Sequence, residues 1–193
     1  FAAYNSNELD YNTFYSRQDD SLIYPILRQE LLQSNQKFID TSVFPISRIV
    51  EGGSEKKLNI VLITIESFSA DFLKRFGNQQ NLCPNFDKLQ QEGILFTNMY
   101  ATGTRTVRGM EALTLCVPPT PGNSIVRRPD NQNIFSLASI LEVKNYTKEF
   151  IYGGDGYFDN MNTFFGGQGF DIIDRDRGHL LADELHTRRI HIK

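Results

Sequence analysis

Cysteine, histidine and long apolar runs are scarce in this sequence. Its 193 residues hold two cysteines, Cys83 and Cys116. Two thiols are too few for a disulfide framework or a zinc ribbon, so unpaired thiols are the plainer expectation. No apolar run approaches the roughly 20 residues of a bilayer-spanning helix, and no signal-peptide pattern opens the chain. Neither sign of charge dominates, because the formal net charge is −3. That argues against a nucleic-acid surface held by bulk charge, and no nucleic-acid partner is expected. Histidine is confined to the end of the chain, at His179, His186 and His191. What remains is an ordinary globular composition, 40% apolar and 22% charged, long enough for one domain with an appendage.

The appendage comes first. Residues 1–57 are polar, with helical spacing at Leu22, Ile26, Leu27, Leu31 and Leu32, and they end in the hydrophilic linker "EGGSEKK". They read as a helical arm and linker leading into a domain over 58–193. "LNIVLITI", 58–65, is a continuous aliphatic and β-branched run. Such a run is the mark of a strand buried on both faces of a parallel sheet. "PNFDKLQQEG", 84–93, predicts a helix opened by Pro84 and closed before Gly93. "ILFTNMYA", 94–101, predicts a second strand, and "TVRGMEALTLCV" a helix that stops at Pro118-Pro119. A further helix is predicted over 133–146 and a third strand over 147–152, ending in Gly153-Gly154. This alternation predicts an α/β domain with a mainly parallel sheet flanked by helices.

In open α/β sheets, ligands gather at the carboxyl ends of the strands. Three features fall at such ends: Glu66-Ser67, the turn "ATGTRTVRGMEAL" (101–113) and the loop "GGDGYFDN" (153–160). A carboxylate at Glu66 sits at the mouth of a buried sheet, where an unpaired charge is costly. By position alone it is as readily a helix cap or an arginine's partner as a metal ligand. Thr106 opens an apolar helical run, and a threonine there is most often a plain N-cap. The same place is also an anion site, because the helix dipole and free amides point at it. Beside a divalent cation the hydroxyl becomes a nucleophile for phosphorus. Arg105 and Arg108 would then neutralise phosphate oxygens, although solvated surface charge is the commoner fate of an arginine.

At these residues the chain resembles a known family. "NIVLITIESFSADFL", "CPNFDKLQQEGILFTNMY" and "ATGTRTVRGMEAL", in that order, are similar to the start of the catalytic domain of lipoteichoic acid synthases and bacterial phosphoglycerol transferases. These enzymes belong to the alkaline phosphatase and sulfatase superfamily, and the resemblance runs from about Leu58 to Asp174. It implies that Glu66 is a metal ligand and that Thr106 is both nucleophile and metal ligand. Thr104 is the rival nucleophile. The related phosphoethanolamine transferases use the second threonine of a similar G-T-x-T turn, which favours Thr106. The resemblance implies one divalent ion, Mn²⁺ first, with Mg²⁺ and Zn²⁺ as alternatives. A sulfatase would need a Cys/Ser-x-Pro-x-Arg pattern, and "CPNF" at 83 lacks the arginine and lies in the wrong element.

Two departures stand out. Where lipoteichoic acid synthase places a histidine, a tryptophan and an arginine around its headgroup, a gapless reading finds Tyr152, Asp159 and Met161 here. The family's later Asp-His pair, usually "DHG", has no counterpart: "DRGH" at 176–179 is not it, and "LHTRRIHIK" reads as a helix or strand end. The expectation is therefore the N-terminal part of a longer, sulfatase-like catalytic domain, incomplete at the C-terminus and inactive by itself. The implied enzyme is a metal-dependent transferase that moves a phosphoglycerol-type headgroup from a phospholipid to a glycan or glycerol acceptor. It would lie outside the cytoplasmic membrane, tethered by absent N-terminal helices. A phosphodiester or sulfate-ester hydrolase on the same fold, or a non-catalytic sensor or binding domain, is the alternative.

Overall fold

The computed structural model describes residues 9–40, 42 and 45–175. The chain divides into two units, residues 10–65 and residues from Glu66 onward. In the first unit, Asp19 caps helix α1 (Asp20–Leu31) by accepting from the Ser21 amide at 2.8 Å. The Ser21 hydroxyl donates to the same carboxylate oxygen. The hydroxyl bond first, and the amide bond second, hold the Asp19 carboxyl below its ordinary range. The cap is therefore fully present above the usual aspartate pKa, and it fades as pH falls through the lowered folded-state value. An NMR titration of Asp19 is expected to show this low midpoint, and Ser21→Ala to move it back up.

A hairpin packs beside α1. Strand β1 (Gln36–Phe38) pairs antiparallel with β2 (Arg48–Val50), Lys37 facing Ile49. Arg28 of α1 sets its guanidinium 3.7 Å above the Phe38 ring. It also donates to the carbonyls of Asp40 and Pro45. Arg48 returns the contact by donating to the Leu31 carbonyl at 2.9 Å.

In the second unit, helix α2 (Pro84–Glu92) starts on Pro84 and is followed by Gly93, as its sequence predicts. Helix α3 (Thr106–Leu115) ends at Cys116, which takes a left-handed φ of 56°. Helix α4 (Leu137–Val143) is opened by a reciprocal Ser136–Ser139 capping box. Strand β3 (Glu149–Ile151) runs through helix α5 (Met161–Gly167) to strand β4 (Asp171–Ile173), which pairs with it in parallel. The helix is the crossover that parallel pairing needs.

The core forms around Val126, in the turn Ile125–Arg127 on which both α3 and α5 pack. Met161, Phe164 and Phe165 recur at helical spacing, and all three are buried with Val107, Leu115 and Val126. Phe165 stacks on Phe150 of β3, with ring centroids 3.8 Å apart. At Gly167 a Cβ would lie 2.6 Å from the Gln132 side chain. Glycine there allows the close approach in which the Asn133 amide donates to the Gly167 carbonyl at 3.0 Å. Phe164 is 0% exposed. Phe164→Ala is expected to cost about 3–5 kcal/mol, read as a lower urea midpoint with an unchanged slope.

Two expected strands are not formed among the described residues. Segments 58–65 and 94–101 enter no ladder. Their apolar side chains are open to solvent, as Val61 (81% exposed) and Ile94 (87%) illustrate. A doubly buried strand needs hydrogen-bonded neighbours on both edges and a layer on each face, and the described residues supply neither. The mainly parallel sheet is represented among them by β3 and β4 alone. The tail "LHTRRIHIK" and all three histidines lie outside the described residues. Among the described residues, no helix is long and apolar enough to cross a membrane.

Candidate active site

Segment 58–65 ends at Glu66 in a turn, where Ser67 takes a left-handed φ of 53°. The Ser67 hydroxyl donates to Glu66 Oε1 at 3.2 Å. The other carboxylate oxygen meets α3. Thr106 Oγ1 donates to Glu66 Oε2 at 2.7 Å, across 40 residues of sequence. Thr106 is not the cap of its helix. That position belongs to Arg105, which has extended backbone (φ −123°, ψ 142°) and makes no side-chain cap. The threonine hydroxyl is thus directed at a carboxylate and not at its own helix. The first amides of α3 have no intrahelical partner, as at any helix start. Thr104, two residues earlier, is exposed, and Thr106 makes the bond to Glu66.

The two arginines part company. Arg105 is exposed at the helix start. Arg108 is turned inward: Nη1 donates to Glu111 Oε1 at 2.8 Å, and Nη2 donates to the Gly122 carbonyl. Gly103 lets the threonine turn pass close to it, since a Cβ there would lie 2.8 Å from Arg108 Cβ.

Glu111 itself was not singled out by sequence, yet it is 1% exposed. Besides Arg108 it accepts from the Ser124 hydroxyl and the Ile125 amide, both at 2.6 Å. A signal for it existed. The buried positions of α3 are Val107, Glu111, Thr114 and Leu115, which is the i, i+4, i+7, i+8 stripe of a core-facing helix. A glutamate on that stripe must have donors.

The loop after β3 is built for packing. Tyr152 lies beside Phe150, with centroids 6.2 Å apart. Asp159 is 3.7 Å from the Arg127 guanidinium, and Met161 belongs to the core.

Among the described residues there is no cluster of three or more His, Cys, Asp and Glu side chains able to hold a metal ion. Glu66 and Thr106 nevertheless fit as two of its ligands. Both are oxygen donors, the type that hard divalent cations take, and neighbouring ligands of an octahedral ion with bonds of about 2.1 Å lie about 3 Å apart. The observed 2.7 Å is close to that spacing.

The α/β domain that carries this pair is of the alkaline phosphatase/sulfatase-like class of fold, as a family comparison shows. The sequence profile of the sulfatase family matches residues 58–184 of this chain. The chain belongs to the sulfatase family. This is a family of enzymes that act on sulfate and phosphate esters, and its members typically use a divalent metal ion. The chain is also similar to a solved protein of the alkaline phosphatase superfamily from Vibrio parahaemolyticus. The two are 49% identical over a match covering 48% of this chain and 23% of that one, with a TM-score of 0.46. The match therefore spans less than a quarter of that protein's chain.

Proposed function

We propose that this chain carries the nucleophile and one metal ligand of a transferase that moves a phosphoglycerol-type headgroup from a phospholipid to a glycan or glycerol hydroxyl. The observation that carries the reading is the 2.7 Å bond from the Thr106 hydroxyl to Glu66. Thr106 Oγ1 attacks the phosphorus of the donor. The bond from phosphorus to the diacylglycerol oxygen breaks, and that oxygen keeps the electron pair and takes a proton. Glu66 Oε2 is the acceptor facing the hydroxyl proton as the attack begins. In the second half, an acceptor hydroxyl attacks the phosphothreonine, the bond to Oγ1 breaks, and Thr106 regains its proton. Glu66 and Thr106 would supply two of the oxygen ligands of a divalent ion, Mn²⁺ in our reading, which would make the hydroxyl more acidic and offset charge on the phosphate. The first-turn amides of α3 and the exposed Arg105 would offer donors and positive charge to the phosphate at the helix start. A membrane-tethered position outside the cytoplasm brings the site to its lipid donor.

The second reading is hydrolysis of phosphate or sulfate esters, which the family match itself favours. Water then replaces the acceptor hydroxyl. The threonine at the helix start, in place of a Cys or Ser convertible to formylglycine, weighs toward phosphorus. The experiment uses the full protein with headgroup-labelled phosphatidylglycerol and, separately, an aryl sulfate. Label on the acceptor supports transfer. Free headgroup alone, or turnover of the aryl sulfate alone, supports hydrolysis.

A further inference from the structure

We propose that Glu111 is a positioning residue for Thr106, acting through the loop 122–126 that it ties to the back of α3. The inference rests on the reading of Thr106 as nucleophile. Three donors converge on the Glu111 carboxylate: Arg108 Nη1 at 2.8 Å on Oε1, with the Ser124 hydroxyl and the Ile125 amide at 2.6 Å on Oε2. The Ser124 hydroxyl also lies 3.0 Å from the Val107 carbonyl, and Arg108 reaches the Gly122 carbonyl. The first two turns of α3 are thereby tied to one loop through residues 107, 108 and 111.

The clamp and the nucleophile lie on different faces. At 100° per residue, Thr106 and Glu111 are about 140° apart around the helix. The front of the helix start has no side-chain cap, because Arg105 supplies none. The direction of the Thr106 hydroxyl toward Glu66 therefore depends on how the first turn is held from behind. A buried ion pair gains little stability over an apolar pair of similar volume. What Glu111 adds is geometry: one carboxylate fixes a side chain of its own helix and two groups of a separate loop. Arg108, in this arrangement, serves Glu111 and not the substrate.

The test uses the full protein acting on vesicles of headgroup-labelled phosphatidylglycerol, with rates normalised to the folded fraction. Glu111→Gln is expected to lower kcat about 10- to 100-fold, the scale of misplacing a reacting group by an ångström, while KM stays within about twofold. Ser124→Ala keeps the Arg108 pair and removes one donor, so a smaller fall in kcat is expected with the protein fully folded. Glu111→Gln with wild-type kcat, a change confined to KM, or a loss that only follows the unfolded fraction each overturns the proposal. If Glu111→Gln does not fold, wild-type kcat in Ser124→Ala overturns it. The Thr106→Ala control separates the two ideas. An active Thr106→Ala defeats the reading of the nucleophile, whereas a dead Thr106→Ala beside a wild-type Glu111→Gln defeats only the role given to Glu111.

Discussion

In the full protein, Thr106→Ala is expected to abolish turnover, by about 10,000-fold or more, as loss of a covalent nucleophile does. The fold is expected to stay intact. Thr106 lies at the start of α3, where its hydroxyl donates to Glu66. Alanine is a good helix former, and loss of one hydroxyl bond at this half-buried position is expected to cost about 0.5–1.5 kcal/mol, too little to unfold the protein. Thr106→Ser keeps the hydroxyl and is expected to retain part of the activity. Stopping the reaction early and digesting the protein should yield a phosphorylated peptide containing Thr106. If Thr106→Ala turns over normally and Thr104→Ala does not, the nucleophile lies two residues earlier, at Thr104. In that case the bond to Glu66 is only a tether for the helix.

What was legible in the sequence is what local chemistry decides. Pro84 and Gly93 bound their helix because proline suits a first turn and glycine suits the residue past the last. "TKEFIYGG" contains β3, and the Gly-Gly pair follows its end. Glu66 and Thr106 drew notice because each follows an apolar run, but a helix cap or an ion pair explained each as readily as chemistry, and the bond between them spans 40 residues and was not readable from either position alone. What was not legible depends on distant partners. Segments 58–65 and 94–101 carry a strand's pattern, but a ladder is a property of two chains of backbone, and no described neighbour pairs with them. The β1–β2 hairpin was missed because its strands are three residues each, and its ties to α1 are long-range: Arg28 of α1 donates to the Asp40 carbonyl, and Arg48 of β2 donates to the Leu31 carbonyl. Helix α5 was missed because its seven residues include two glycines. Its stripe of Met161, Phe164 and Phe165 was present all the same, and packing overrides the poor propensity.

Glu66 is where charge and hydrogen bonding can be told apart. Glutamine has nearly the shape of glutamate and an oxygen that accepts from Thr106, but it carries no charge. If Glu66 served only to hold the Thr106 hydroxyl, Glu66→Gln would keep most of the activity. If it ligates a divalent ion, the loss of one negative charge and one strong oxygen donor weakens the site directly. Removing a group that merely orients a ligand already costs 10- to 100-fold in metal affinity or activity, so removing the ligand itself is expected to cost more than about 100-fold. Titration calorimetry of the full protein with Mn²⁺, then Mg²⁺ and Zn²⁺, reads the affinity directly, and turnover at saturating metal reads the chemistry. We expect both to fall in Glu66→Gln and in Glu66→Ala, with excess Mn²⁺ restoring part of the rate in Glu66→Gln alone. The exposed side chain leaves the fold largely indifferent to either change, so circular dichroism should be unaltered. Full activity and unchanged Mn²⁺ binding in Glu66→Gln would sink Glu66 as a ligand and leave it as the acceptor that orients Thr106.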